Sequence, residues 1–327
     1  MDIIVGATPQ MQSVAGTVDR VAASNIPVLI QGESGTGKEI ISKLIHIRSD
    51  RATAPWIKVI CPAIPASLIE SELFGYERGA FTGAYTNKCG RVESAHRGTL
   101  FLDEIGSLEV TLQAKLLQVL QDGSFTRVGG SDPRRIDARI VSSANRDLRK
   151  QTEDGEFRLD FLSRINAVTI TLPPLRDRAV DVPAMVGYFL GLYSRQFHTA
   201  PRRLSNGIRR MLQEYDWPGN IRQLENLIRN YALMGSEEAV ASELVHSGGT
   251  EPKLEIDLAQ PLSLKELTRT ATKDLERRVI MQVLQANGWS RKKTARWLNI
   301  SYRSLLYKLE GSHAMKSTRL SRKPEGE

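Results

Sequence analysis

Seven residues, Gly32-Glu33-Ser34-Gly35-Thr36-Gly37-Lys38, follow the apolar run Val28-Leu29-Ile30 and precede Ile40, Ile41, Leu44 and Ile45 at helical spacing. Strand, glycine-rich turn and helix in that order predict a phosphate loop. The glycines let backbone N–H groups converge on phosphate oxygens, the helix N-terminus adds partial positive charge, and Lys38 reaches the β and γ phosphates. ATP with Mg²⁺ is the expected cofactor pair. Glu39 stands where a Ser or Thr hydroxyl usually touches the metal, so coordination is expected to lean on other groups and on water.

The run Thr99-Leu100-Phe101-Leu102 ends in two carboxylates, Asp103 and Glu104. Asp103 can hold Mg²⁺ through water while Glu104 polarises the attacking water, a division of labour that hydrolysis requires. The plainer reading makes the pair a helix N-cap before Ile105. Further apolar runs at Ile57 to Ile60, Ala138 to Val141 and Ala167 to Leu172 bring the strands to about five, separated by helical stretches. This alternation predicts an α/β fold with a parallel sheet and sites at the strand C-terminal ends. Asn145, just past the fourth strand, is placed to touch the γ-phosphate or the attacking water, or else simply forms a turn.

Gly79-Ala80-Phe81-Thr82-Gly83-Ala84 surrounds one aromatic and one hydroxyl with small residues that bury little apolar area. Phe81 is therefore expected on display, whereas an isolated aromatic in a Gly-rich turn would more often tuck into a core.

A chain of 327 residues with 41% hydrophobic content can bury a core and suggests two or three domains. The longest uncharged run near Met185 to Tyr193 is far short of the ~20 residues that span a bilayer, and no signal-peptide pattern opens the chain. A cytoplasmic protein without membrane insertion is expected. Cys61 and Cys89 form no Cys-x-x-Cys pair and no HExxH occurs, so both thiols read as packing residues. Lys265 to Glu327 holds 15 Lys and Arg against 6 Asp and Glu, while the rest of the chain holds 30 against 31. That asymmetry is the footprint of a nucleic-acid-binding module on a near-neutral body.

Taken together, these residues resemble the sigma-54-dependent transcription activators, the bacterial enhancer-binding proteins, a branch of the AAA+ ATPases. The resemblance covers nearly the whole chain and includes Glu72-Leu73-Phe74-Gly75 and Arg127-Val128-Gly129-Gly130-Ser131, the latter similar to a second pore-side loop. It implies that the Gly79 to Ala84 loop contacts the sigma factor of closed RNA polymerase, with Phe81 and Thr82 at the contact. It implies a homo-oligomeric ring, usually a hexamer, in which Arg158 and Arg164 reach a neighbour's γ-phosphate, and an Arg222 that senses nucleotide from a helical lid. Locally, Asn220 and Gln223 read as an N-cap and capping box before an apolar face of Ile221, Leu224 and Ile228.

Three positions depart from the family pattern. Ile60 replaces an Asn that holds the catalytic Glu, so a switch on Glu104 is absent or built from other residues. Ala144 replaces the Thr before Asn145, and Pro62 stiffens a segment normally free of proline. The chain opens directly into the ATPase at Ile3 to Gly6 with no receiver or sensory domain, so control is expected from a partner, from expression level or from a segment outside this chain.

The expected boundaries are an α/β ATPase subdomain over 1–174, a helical lid over 175–246, a linker over 247–262, a helix-turn-helix domain over 263–310 and a disordered basic tail over 311–327. In the fourth of these, Leu275, Val279, Val283 and Leu284 suggest an amphipathic helix. Arg291 to Leu298 and Ser301 to Lys308 read as two short helices around Asn299, which tolerates a left-handed turn. The pair resembles the helix-turn-helix these activators share with the nucleoid protein Fis. Small Ala295 permits close crossing, with Leu298, Ile300 and Leu305 between the helices. Tyr302, Arg303, Ser304 and Tyr307 are the expected groove-facing set. Arg291, Lys292, Lys293 and Lys308 are expected on phosphates, and Thr294 and Arg296 complete the DNA-binding set.

The expected function is an ATP-dependent activator that binds upstream double-stranded DNA and remodels sigma-54 polymerase from closed to open complex. The alternatives are an AAA+ remodeller of another protein, or a DNA-binding regulator with impaired ATPase.

Overall fold

The computed structural model describes residues 6–200, 202–247, 280, 283 and 291–305, in a unit of residues 1–250 and a unit of residues 251–327. The expected linker past Ser247, the residues Leu275, Val279 and Leu284, the basic tail 311–327 and the candidates Tyr307 and Lys308 lie outside the described residues.

In the first unit the strands are β1 (Val28–Gln31), β2 (Trp56–Ile60), β3 (Gly75–Tyr76), β4 (Lys88–Cys89), β5 (Thr99–Asp103), β6 (Ser124–Phe125), β7 (Arg134–Arg135), β8 (Arg139–Ala144) and β9 (Val168–Thr171). Five of them form a parallel sheet in the order β2-β5-β8-β1-β9. Their continuous apolar runs follow from burial on both faces. Alternate residues part company: Val28, Ile30, Phe101 and Val141 pack with helices Pro9–Ala22 and Lys38–Ile47, whereas Leu29, Leu100, Leu102 and Ile140 enter the core beneath helix Val110–Asp122. Each fully buried side chain of this kind contributes about 1.5–3 kcal/mol.

The strand order fixes the site. From β1 the chain crosses to the edge strand β2 and returns through β5 and β8, so the C-terminal ends of β1, β5 and β8 open onto one crevice. The antiparallel pairs β3-β4 and β6-β7 were not evident from the sequence, because two-residue strands carry no periodicity. The thiols differ as well: Cys61 is buried and burial pushes its pKa to about 12, whereas Cys89 is exposed on β4 and is not a packing residue.

Past Pro173 and Pro174, helices Val182–Gln196, Asn206–Glu214, Asn220–Met234 and Glu237–Ser247 build the lid around Trp217, whose indole donates to the Leu212 carbonyl at 2.9 Å. The expected cap at Asn220 is corrected here. Gly219 is the N-cap of helix Asn220–Met234, and Gln223 Oε1 accepts from the Gly219 amide. Asn220 is fully buried with φ +53°, and its amide is engaged away from the helix.

In the second unit, helix Arg291–Trp297 leads through Asn299, at φ +54°, into a helical turn over 302–305. Ala295 and Leu305 are buried with Ile280, and Leu298 and Ile300 pack against them. The Ser301 hydroxyl accepts from the Ser304 amide and caps the second helix.

Candidate nucleotide site and the loops attached to it

The phosphate loop is held from both ends. Gly37, at φ +101°, turns the chain into helix Lys38–Ile47, and Lys38 folds back so that its ammonium donates to the Gly32 carbonyl at 2.7 Å and the Glu33 carbonyl at 2.9 Å. Burial holds the Lys38 pKa below its ordinary value, against the opposing pull of Asp103 and Glu104. The ammonium is thus restrained before any phosphate arrives.

At the end of β5 the side chains do not cap a helix. The Ser143 hydroxyl, fully buried on β8, donates to Asp103 Oδ1 at 2.6 Å and accepts from the Glu104 amide at 3.0 Å. Glu104 sits at φ +58°, a region that non-glycine residues rarely occupy, and makes no side-chain capping bond to the turn Ile105–Ser107. Asp103 Oδ2 lies 3.7 Å from Lys58 Nζ, which also binds Glu39 Oε2 at 2.5 Å.

Ser34, Gly35, Gly37, Lys38, Glu39, Asp103, Glu104 and Arg222 line one cleft of about 250 Å³. Asn145, exposed beyond β8, lines a neighbouring cavity of about 510 Å³ with Gly32. The lid closes over the loop through several bonds. Asn220 Nδ2 donates to the Ser34 carbonyl at 3.0 Å and to Glu33 Oε2 at 3.1 Å, while its Oδ1 accepts from the Leu175 amide at 2.8 Å. Arg222 donates to Ser34 Oγ at 3.0 Å, and buried Arg178 to the Thr36 carbonyl at 2.9 Å. Arg176 holds the Glu33 carboxyl below the usual range, with Asn220 adding to the effect. Gly35 is required because a Cβ there would strike the Gly219 carbonyl.

Arg158 and Arg164 are not among the residues of this cleft. Arg158 pairs with Asp160 at 2.6 Å on the surface, and Arg164 donates to the Leu120 carbonyl at 3.0 Å beside a separate cavity.

The loop Gly79 to Ala84 closes on itself through Gly79 N to Ala84 O at 2.9 Å and Ala84 N to Phe81 O at 3.0 Å. Phe81 remains 44% exposed with its ring set edge-on to Tyr76, and Thr82 and Gly83 are exposed. Ala84 departs from the expected contact set, since it is buried inside the turn. The base of this loop is joined to the Arg127 to Ser131 loop. Val128 exchanges backbone bonds with Gly75 and Glu77, a Cβ on Gly129 would meet Ala80 Cβ at 2.6 Å, and Arg127 and Arg134 each pair with both Glu77 and Glu93.

In the second unit Arg291, Lys293, Arg296, Tyr302 and Arg303 are exposed, Ser304 is half-buried, and Lys292 lies in the same first helix. Thr294 is corrected: it is fully buried beside Ala295, so it belongs to the packed centre and not to a DNA-facing surface. Trp297, 75% exposed at the end of that helix, was not singled out from the sequence.

Ser143, Lys58, Asn220 and Arg176 are the site residues that sequence reasoning missed. A weak signal existed for Ser143, one of two adjacent hydroxyls at the end of the run Ile140-Val141-Ser142-Ser143. Among the described residues no helix is long and apolar enough to cross a membrane, and no cluster of three His, Cys, Asp or Glu side chains is placed to hold a metal.

Residues 4–171 match the sigma-54 interaction domain, 176–253 an AAA+ ATPase lid domain and 272–310 the bacterial regulatory protein Fis family. The Nif-specific regulatory protein of Azotobacter vinelandii is 42% identical over 94% of this chain and 58% of its own length. The regulatory protein AtoC of Escherichia coli K12 is 42% identical over 94% of this chain and 67% of its own. The chain thus spans roughly three-fifths of the curated relatives it matches. The crystal structure of NtrX from Brucella abortus in complex with ADP superposes with a TM-score of 0.69 at 32% identity, covering 94% of this chain and 68% of that one. The Saccharomyces cerevisiae Hsp104:casein complex, at 20% identity and a TM-score of 0.52 over 75% of this chain and 46% of that one, shares the fold alone. A parallel sheet with a phosphate loop, a helical lid and a Fis-type helix-turn-helix, matched in that order along one chain, make this protein a member of the sigma-54-dependent transcription activators, within the AAA+ class.

Proposed function

We propose that this chain hydrolyses ATP and uses the cycle to drive its Phe81 loop against sigma-54 in RNA polymerase bound at a promoter, converting closed to open complex. The observation that carries this reading is the convergence of Lys38, Asp103 and Glu104 on one cleft in a chain that also displays Phe81 and Thr82 on a self-closed loop. The NtrX structures with ADP and with ATP support a nucleotide in that cleft.

In this reading the phosphate-loop amides and Lys38 bind the β and γ phosphates. Glu104 accepts a proton from the attacking water while the bond between the γ-phosphorus and the β–γ bridging oxygen breaks. The donor set suits Mg²⁺, since Asp103 presents a carboxylate oxygen at the cleft and Mg²⁺ is typically held by one or two carboxylates, water and the phosphates themselves. When bound, Mg²⁺ supplies positive charge against the phosphate oxygens. Asn145 orients the water or the γ-phosphate, and Arg222 reports phosphate occupancy to the lid through Ser34. Arg158 and Arg164, which take no part in their own cleft, serve a neighbour's in a ring, expected to be a hexamer. An arginine supplied in this way is worth about 10³–10⁵ in rate. The exposed cations of helix Arg291–Trp297 and Tyr302 and Arg303 of the following turn hold upstream double-stranded DNA. All of these steps are those of a cytoplasmic protein.

The test compares wild type with Thr82→Ala in open-complex formation on a sigma-54 promoter with purified protein and ATP. Loss of promoter opening with hydrolysis retained is expected. Equal opening by both proteins removes the loop from the mechanism.

A further inference from the structure

We propose that the lid carries a second ligand site, for a long-chain aliphatic anion, in the groove between helix Val182–Gln196 and helix Asn206–Glu214. The cavity measures about 930 Å³, within the size of small-molecule sites. Its space is left by Gly187 and Gly191, one helical turn apart, where an added Cβ meets nothing within 4 Å. None of its lining residues belongs to the nucleotide cleft.

Three features define the ligand. The apolar wall consists of Val182, Val186, Leu190, Leu204 and Leu212, and among the described lining residues there is no Phe, Tyr or Trp. That wall is aliphatic throughout and offers a planar ring no face to stack on, so an alkyl body fits it better than a planar one. Secondly, Arg195, Arg202, Arg203, Arg209 and His198 line the same groove with no Asp or Glu among them, and none of these arginines forms an ion pair within the described residues. Cations along one groove with no paired carboxylate give it a positive potential, and guanidinium groups suit carboxylate and phosphate heads alike. Thirdly, Ser194 lines the groove one turn beyond Gly191 at 6% exposure, and its hydroxyl has no hydrogen-bond partner. A buried hydroxyl in that condition carries a cost that a ligand oxygen can remove.

The experiment titrates the full chain calorimetrically with dodecanoate and with dodecyl phosphate below their micelle concentrations. Dodecyltrimethylammonium and butyl phosphate are the controls for charge and for chain length. Saturable one-to-one binding of a dodecyl anion is expected, with each control weaker by about tenfold or more. The two anions distinguish a carboxylate from a phosphate head. Gly191→Leu projects into open space and leaves the arginines in place, whereas Arg195→Ala with Arg209→Ala removes charge and leaves the groove open. Each should weaken the anion by about tenfold while ATP binding stays at its wild-type value and thermal unfolding is not lowered, Gly191→Leu raising it if anything through better helix propensity. Equal binding of cation and anion, undiminished binding by Gly191→Leu, or no saturable binding, as when a partner helix or a second copy covers this face instead, overturns the proposal.

Discussion

Lys58 binds Glu39 through a 2.5 Å ion pair, and the same ammonium lies 3.7 Å from Asp103 Oδ2. A helix residue after the phosphate loop and the last residue of β5 therefore share one cation supplied by β2. Without it, two carboxylates would face incoming triphosphate uncompensated. Lys58→Met is expected to weaken Mg²⁺-free ATP binding by about tenfold, and Glu39→Gln in the same background to recover most of that loss. Fluorescent-nucleotide titration of wild type, Lys58→Met and the double variant checks it; an unaffected Lys58→Met, or a double variant no better than the single one, refutes the charge account.

Glu104 owes its position to Ser143, which anchors its amide, and to a left-handed backbone that a longer-range constraint has to maintain. Glu104→Gln keeps shape and volume and removes the proton acceptor. Hydrolysis should fall by about 10²–10⁴ with ATP affinity unchanged. Phosphate release and nucleotide titration read the two quantities separately, and turnover near the wild-type rate would assign the base elsewhere.

The legible parts of this protein are those where a local pattern has one physical solution. Val28 to Ile30 and Thr99 to Leu102 read as buried strands because both faces are covered, and the glycines after Gln31 admit little but a phosphate loop. Phe81 was legible as exposed because its small neighbours offer it no core. Ser143 and Lys58 were not, since their roles depend on which strands lie beside β5, and strand order is a tertiary fact. Asn220 misled for a related reason. A local cap and a bond to a loop 186 residues away look alike in sequence, and the phosphate-loop carbonyl won. Thr294 shows the same limit on a smaller scale, where one residue of helical phase decides between groove and core.

Asn220 ties the lid to Leu175, Glu33 and Ser34 at once. Truncation leaves a buried Leu175 amide and a Ser34 carbonyl without partners, at about 1–3 kcal/mol. Asn220→Gly isolates that loss because glycine accepts φ +53°, whereas Asn220→Ala adds backbone strain. Both should lower the denaturation midpoint, alanine more than glycine, and both should weaken ATP binding. Equal midpoints for the two variants would mean that backbone strain at this position is unimportant.

Arg127 is largely buried and holds Glu93 at 2.8 Å and Glu77 at 3.3 Å, fastening the Arg127 to Ser131 loop to the base of the Phe81 loop. Arg127→Met keeps the aliphatic stem and leaves those carboxylates short of a cation. Amide exchange across 76–89 should quicken while exchange in β1 and β5 does not change. Uniform acceleration over the whole sheet would point to global destabilisation instead.

His46 gives the fold a pH dependence of definite sign. It is buried, its Nδ1 lies 2.9 Å from Thr99 Oγ1, and burial holds its pKa below the ordinary 6.5, partly offset by a bond with the Ala54 backbone. The unfolded chain therefore takes up a proton at this residue before the folded one does. Its full contribution to stability is present above the unfolded value of 6.5 and is lost as pH falls through the lower folded value. His46→Gln can retain a hydrogen bond to Thr99 and cannot titrate. Between about pH 7 and about pH 5 the urea midpoint of wild type should fall more steeply than that of His46→Gln, the difference of the two slopes cancelling the carboxylates common to both. Parallel slopes would show that His46 is protonated equally in both states, and the buried neutral imidazole would have to be abandoned.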